Sequence, residues 1–187
     1  MEGFVDWLAW VAAAGRPLAW IAVFVAVGAA VLARWRARHA PQAEAIDRSL
    51  RDGALALAVA VVVVLTIRPA VPEPGYDPLL LIPFQDVVDV TVDPDLRARA
   101  VVDVVGNLVV FVPLGAALAA RFPRWSWRGV VAATAILAVA VEVTQLILDI
   151  GRTADVTDVL VDPIGALLGF VAWRRLTSAP RESIATT

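Results

Sequence analysis

Residues 129–173 read GVVAATAILAVAVEVTQLILDIGRTADVTDVLVDPIGALLGFVAW, two apolar stretches joined by a polar middle. Each apolar stretch approaches the roughly 17–25 residues that a membrane-spanning helix needs. Six charged side chains nevertheless fall between and inside these stretches. Because charge is costly in hydrocarbon, ionisable groups within a span usually face the protein interior or a water-filled cavity. The stretch therefore predicts a helical hairpin in a membrane, and with it a polar site.

The whole chain has the composition of an integral membrane protein. Of its 187 residues, 60% are hydrophobic, and the mean hydropathy is +0.77. Soluble domains have an apolar fraction of about 45–50%. We therefore expect one membrane domain, residues 1–187, of the all-α class: a multi-pass helix bundle with about five transmembrane helices. The predicted spans are 17–33, 53–70, 101–120, 129–150 and 156–173.

The N-terminal segment lacks the basic region of a cleaved signal peptide, which predicts an uncleaved first span. Whether residues 4–14 belong to that span is left open by the sequence. Asp93 followed by Pro94 predicts the start of the third span. Gly151 predicts the end of the fourth span, and Asp155 or Thr153 is expected to cap the fifth.

The distribution of arginine predicts how the bundle is oriented. Arginines are concentrated after the first span, between the third and fourth spans, and after the fifth. The loop between the second and third spans, residues 72–95, is acidic instead. Because positive residues favour the cytoplasmic side, we expect the N-terminus outside and the C-terminus in the cytoplasm. Trp125, Trp127 and Trp173 lie where cytoplasmic interface anchors are expected.

Polar residues of the last three spans are predicted to meet at the outer end of the bundle. Their spacings of three, four or seven residues place each set on one helical face. The simplest arrangement is three polar stripes around a cleft that is open to the outside. The candidate ligand-binding residues are Asp103, Asn107, Glu142, Gln145, Arg152, Asp155, Asp158 and Asp162.

Each candidate also has a structural interpretation. The residues near the helix ends would be solvated groups that the helix dipole stabilises, and the deeper ones would form hydrogen bonds between helices. Arg152 would either pair with the neighbouring acids or bind an anionic group such as a phosphate. Gly165 and Gly169, four residues apart, are typical of close helix packing.

A series of short motifs occurs in fixed order over about residues 80–170. The motifs are Leu81-Ile82-Pro83-Phe84, Asn107, Phe111-Val112-Pro113-Leu114-Gly115, Glu142-x-x-Gln145, Arg152-x-x-Asp155-x-x-Asp158, Gly165 and Gly169. In these motifs the chain resembles the VanZ-like family of bacterial integral membrane proteins, the teicoplanin-resistance protein family. Asp162, followed by Pro163, departs from the asparagine usual in that family. A carboxyl group at that position cannot supply the amide donor that an asparagine provides.

The resemblance implies a multi-pass protein of the bacterial cytoplasmic membrane with a role in the cell envelope, where antibiotic resistance to glycopeptides is the best-known association. The expected partners are the lipid bilayer and a lipid-linked cell-wall precursor or lipophilic glycopeptide, not nucleic acid. We expect the polar cleft to bind or modify such a ligand at the outer leaflet. No cofactor or metal is predicted.

Two alternatives stay open. One is a membrane enzyme on envelope lipids, with catalytic residues unassigned. Cysteine is absent and the single histidine, His39, is predicted to be cytoplasmic, so paired carboxylates or a divalent cation on oxygen ligands would carry the chemistry. The other is a small proton-linked transporter in which Glu142 exchanges a proton. The absence of comparable polar residues in the inner halves of the spans disfavours it.

Overall fold

The structure is a computed structural model that describes residues 2–67, 69–70, 77–88 and 94–178. Over these residues the elements are α1 (Glu2–Arg36), α2 (Gln42–Thr66), β1 (Leu79–Leu80), α3 (Gln85–Val88), α4 (Pro94–Arg121), α5 (Trp127–Leu148), β2 (Ala154–Asp155) and α6 (Val156–Ser178). Five helices, α1, α2, α4, α5 and α6, are long and apolar enough to cross a membrane. The predicted all-α, multi-pass class is therefore confirmed.

The two ends of this bundle differ in chemistry. The polar end carries residues 149–155, which join α5 to α6, together with β1. The basic end carries the α1–α2 connection, residues 37–41, the α4–α5 connection, residues 122–126, and the end of α6. Arginines tie the basic end together: Arg51 Nη1 donates to Ala120 O at 2.9 Å, and Arg174 donates to backbone oxygens of Pro123 and Trp125.

Helix α2 begins well before the apolar stretch that predicted it. It starts at Gln42 instead of near residue 53, so its first turns are highly charged. Two ion pairs at i,i+4 spacing support these turns, one between Arg48 and Glu44 and one between Arg51 and Asp47 at 2.9 Å. Apolar composition alone could not reveal this polar extension of the span.

Two further boundaries bear on the sequence predictions. Helix α1 is continuous from Glu2 to Arg36, so residues 4–14 extend the helix of the first span. Helix α4 begins at Pro94, as predicted. Asp93, its predicted cap, lies outside the described residues.

An aspartate lies at each end of the loop between α5 and α6, one after the end of α5 and one before the start of α6. The prediction that Gly151 ends α5 is wrong, because the helix ends at Leu148 and Asp149 adopts the left-handed conformation, with φ of 45°. Short polar side chains such as aspartate tolerate this conformation better than most. At the start of α6, the Thr157 N–H donates to Asp155 Oδ1 at 2.7 Å, which confirms Asp155 as the cap.

Helices α4 and α6 are in backbone contact. A Cβ on Gly165 would lie 2.1 Å from Leu108 O, and a Cβ on Gly169 would lie 1.9 Å from Val112 O. Gly115 contributes the same kind of approach from the α4 side. The predicted close packing at Gly165 and Gly169 is confirmed, and it holds the polar residues of α4 and α6 near one another.

A small apolar core fills the space between the helices on the basic side of the polar residues. Its fully buried members are Val62 of α2, Phe111 and Leu114 of α4, Val130 of α5 and Ala166 of α6. Helix α1 packs mainly against α2, and its described span has no buried residue. The polar site is thus built by α2, α4, α5 and α6.

Candidate functional site

Residues 77–84 cover the α5–α6 loop at the polar end. Leu79 and Leu80 pair in parallel with Ala154 and Asp155, the two residues of β2. Beyond this pair, the Phe84 N–H donates to Thr157 Oγ1 at 2.9 Å. The Leu81–Phe84 motif therefore follows a strand that is fixed to the start of α6, a role that sequence analysis did not predict. Thr157, fully buried beside Asp158, is also a residue that it missed.

Two more hydrogen bonds fix the same loop. Thr153 Oγ1 donates to Asp77 O at 2.7 Å, and the Ala70 N–H, just after α2, donates to Ile150 O at 2.8 Å. Main-chain groups near a membrane need partners, because lipid offers none. The connection between α5 and α6 is thus held by segments from both sides.

Glu142 joins α5 to the start of α6. Its Oε2 accepts the Asp155 N–H at 2.8 Å, and its side chain is 8% exposed. The first N–H groups of a helix have no acceptor within that helix, and an acidic group there also interacts favourably with the helix dipole. Glu142 therefore has a structural partner, and it also lies within electrostatic range of Arg152 and Asp158.

Gln145 faces a different neighbour from the other candidates. Its Nε2 donates to Thr66 O at the end of α2 at 3.0 Å, and its side chain is 2% exposed. The last carbonyl groups of a helix lack intrahelical donors, and an amide side chain supplies one here. This contact is the helix-to-helix hydrogen bond that the structural interpretation predicted. It directs the amide of Gln145 towards α2 and not towards Asn107.

The other seven candidates form one connected cluster at the polar end. Asn107 of α4 forms a side-chain hydrogen bond with Asp158 of α6. Asp158 also lies within electrostatic range of Asp103, Arg152 and Asp155. Helices α4 and α6 and the loop before α6 thus contribute to a single group of polar side chains.

Asp162 is the deepest acid of this cluster. It is 2% exposed, lies one helical turn beyond Asp158, and interacts electrostatically with both Asp158 and Glu142. Its Oδ1 is buried without a hydrogen-bond partner among the described residues. Leaving a buried polar atom unpaired costs about 1–3 kcal/mol. A donor supplied by a ligand or by water would remove that cost.

Accessibility falls steadily from the end of the bundle towards Asp162. Asp103 is exposed, while Asn107, Arg152 and Asp158 are half-buried. Glu142 and Asp162 are buried. The described residues contain no group of three or more His, Cys, Asp or Glu side chains that could hold a metal ion. The exposure gradient means that the cluster is reached from one end of the bundle, and its carboxyl, amide and guanidinium groups are of the kinds that form hydrogen bonds.

A family model described as VanZ/LLP1 matches residues 54–177 of the chain, which is more than half of it. The match includes the polar cluster, β1 and both helices of the α4–α6 contact, and it excludes α1. No curated protein and no solved structure matches the chain.

Proposed function

The chain belongs to the VanZ-like family, and we propose that it is a cell-envelope protein that binds the polar head group of a lipid-linked or lipophilic ligand. The ligand class is a lipid-linked cell-wall precursor or a lipophilic glycopeptide. The observation that carries this proposal is the buried Asp162 Oδ1, which has no hydrogen-bond partner among the described residues and lies at the base of a polar cluster in a membrane helix bundle. Most buried polar atoms that have a purely structural role are paired.

The charges of the cluster favour a ligand that is rich in hydrogen-bond donors. Five carboxyl groups, on Asp103, Glu142, Asp155, Asp158 and Asp162, are grouped with one guanidinium, that of Arg152. Arg152 lies within range of Glu142 and Asp158, so its charge already interacts with these acids. Hydroxyl, amide and ammonium groups, such as sugars and peptides carry, complement this arrangement better than a phosphate does.

In this proposal the residues have different roles. Asp162 accepts a donor from the head group, and Asp158, oriented by Asn107, accepts a second. Glu142 and Gln145 are positioning residues, because their contacts fix the start of α6 and the end of α2. The apolar tail of the ligand would lie along the exposed apolar faces of the helices, in the bilayer.

We further propose that the polar end faces the outer leaflet of a bacterial cytoplasmic membrane. Among the described residues, arginines are concentrated at the basic end, and those towards the polar end are Arg16, Arg97, Arg99 and Arg152. This asymmetry favours a cytoplasmic basic end.

Cysteine labelling tests this orientation cleanly, because the natural chain has no cysteine. Asp149→Cys at the polar end and His39→Cys at the basic end are both exposed positions. We expect a membrane-impermeant maleimide to label the Asp149→Cys protein in intact protoplasts and the His39→Cys protein only after permeabilisation. The reverse labelling pattern would overturn the outer-leaflet site.

The ligand class is tested by glycopeptide tolerance in cells that express the chain. We expect Arg152→Gln, Asp155→Asn and Asp158→Ala to reduce tolerance to the level of cells without the protein, at equal membrane abundance. Asparagine keeps the helix cap at position 155, so that variant should still fold. Asp149→Asn is the matched control, since Asp149 is an exposed acid of the same loop and is not one of the candidate binding residues. Unchanged tolerance in all three variants would refute the glycopeptide form of the proposal.

A further inference from the structure

A second candidate binding site lies at the basic end, at the opposite end of the bundle from the polar cluster. A cavity of about 670 Å³ opens there, where the end of α1, the first turns of α2 and the α4–α5 connection meet. Its polar lining includes Arg36, Arg48, Arg51, Arg121 and Arg124. We propose that this cavity binds the phosphate group of an anionic phospholipid.

Two of these guanidinium groups are held in place by one carboxylate. Asp52 accepts from Arg36 Nη2 at 2.7 Å and also pairs with Arg121 Nε. Arg36 Nη1 additionally donates to Ser49 Oγ at 3.1 Å. Arginines whose positions are fixed before binding lose less conformational freedom when they contact a phosphate.

The positive charges around the cavity outnumber the negative charges that pair with them. The five arginines face three carboxylates, those of Glu44, Asp47 and Asp52. Arg124 forms no ion pair within the described part of the chain. Arginine is the residue best suited to phosphate, because its planar donors match two phosphate oxygens at once.

The position and size of the cavity favour a lipid over a free phosphate ion. Arg36 and Arg121 are the last residues of two membrane-spanning helices, so the cavity lies at the level where lipid head groups are found. Phe122 and Trp125, stacked with ring centroids 4.4 Å apart, form an apolar wall beside the arginines. A volume of 670 Å³ is in the range of small-molecule sites and exceeds what one phosphate ion fills. Basic pockets between membrane helices are known to accept anionic lipid head groups.

The proposal is tested by measuring lipid binding to the purified full-length protein with native mass spectrometry. The probes are phosphatidylglycerol and, as the zwitterionic comparison, phosphatidylcholine. We expect the double variant Arg48→Gln, Arg124→Gln to bind phosphatidylglycerol about twenty-five-fold more weakly, or about five-fold per charge removed. Both side chains are exposed and outside the core, so the variant should fold, and its melting curve checks this.

The matched control is the double variant Arg128→Gln, Arg175→Gln. It removes the same charge from the same end of the bundle, at exposed positions that do not line the cavity. Its affinity for phosphatidylglycerol should stay within about two-fold of the natural chain, since distant exposed charges are screened. An equal loss in both double variants would overturn the proposal in favour of general surface attraction.

A variant that binds more tightly complements those that bind more weakly, because misfolding would not raise the affinity for the lipid. Glu44→Gln removes the acid that pairs with Arg48 and should strengthen phosphatidylglycerol binding about five-fold.

Inorganic phosphate alone is the final probe. We expect it not to displace phosphatidylglycerol at matched concentrations. Displacement, with the same dependence on Arg48 and Arg124, would assign the cavity to a soluble phosphate instead and overturn the lipid assignment.

Discussion

Replacing Asp162 with leucine is expected to stabilise the protein in detergent while abolishing ligand binding. The carboxyl is 2% exposed, and its Oδ1 has no partner within the described residues. An unpaired buried polar atom costs about 1–3 kcal/mol, and replacing buried polar groups with apolar ones of similar size is often neutral or stabilising. We expect the free energy of unfolding to rise by about that amount, measured as a higher Tm.

The stability gain distinguishes a binding site from a packing contact. A residue kept for ligand recognition commonly costs stability, whereas one kept for packing contributes to it. A lower Tm for Asp162→Leu would mean that the carboxyl makes a favourable contact within the bundle. The function proposed for the cluster would then lose the observation that carries it.

Asp162→Asn is the matched variant for the same position. Its side-chain oxygen still accepts a hydrogen bond, and asparagine is the residue that the resemblance to VanZ-like proteins leads us to expect there. We therefore expect Asp162→Asn to retain binding of a donor-bearing head group, unlike Asp162→Leu. Loss of binding in both variants at unchanged Tm would show that a carboxylate, and not merely an acceptor, is required.

Gly165→Ala is expected to have the largest effect on stability. The added Cβ would meet Leu108 O at 2.1 Å, and the atoms on that side are backbone, so no flexible side chain can move away. The helices would have to separate, which loosens the packing of Phe111 and Ala166. Overpacking commonly costs about 1–3 kcal/mol, and a backbone overlap of this size places the variant at or above the upper end.

Gly28→Ala is the control for this experiment. Gly28 lies within α1, and a Cβ there would meet nothing within 4 Å. Because alanine favours helix by up to about 1 kcal/mol over glycine, this variant should melt at or above the temperature of the natural chain. Thermal unfolding and membrane abundance of both variants decide the question. A Gly165→Ala protein as stable as Gly28→Ala would mean that α4 and α6 are not in backbone contact.

Much of this fold is predictable from sequence because membrane spans are dictated by local composition. Long apolar windows identify five helices, and Gly165 and Gly169 indicate the contact between α4 and α6. The first turns of α2 could not be recognised in this way, since their stability comes from i,i+4 ion pairs instead of apolar residues. The β1–β2 pair has only two residues on each side and depends on contacts between distant segments.

The site is predicted less completely than the fold, and Gln145 shows why. Residues three apart on a helix are offset by about 60° around its axis. That offset lets Glu142 reach the start of α6 while Gln145 reaches Thr66 of α2. Spacing alone predicts that two side chains share a broad face. It does not predict which neighbouring helix each one contacts.

The most direct test of the proposed binding site is the stabilisation that a defined ligand gives. The measurement is the Tm of the full-length protein in nanodiscs, with and without a lipid-linked disaccharide–peptide cell-wall precursor. A ligand at 100 times its Kd adds about 2.7 kcal/mol of stability. We predict a rise in Tm for the natural chain, Asp162→Asn and Asp149→Asn, and none for Asp162→Leu. An equal rise in Asp162→Leu, or no rise in the natural chain, would contradict the assignment of the polar cluster to that ligand.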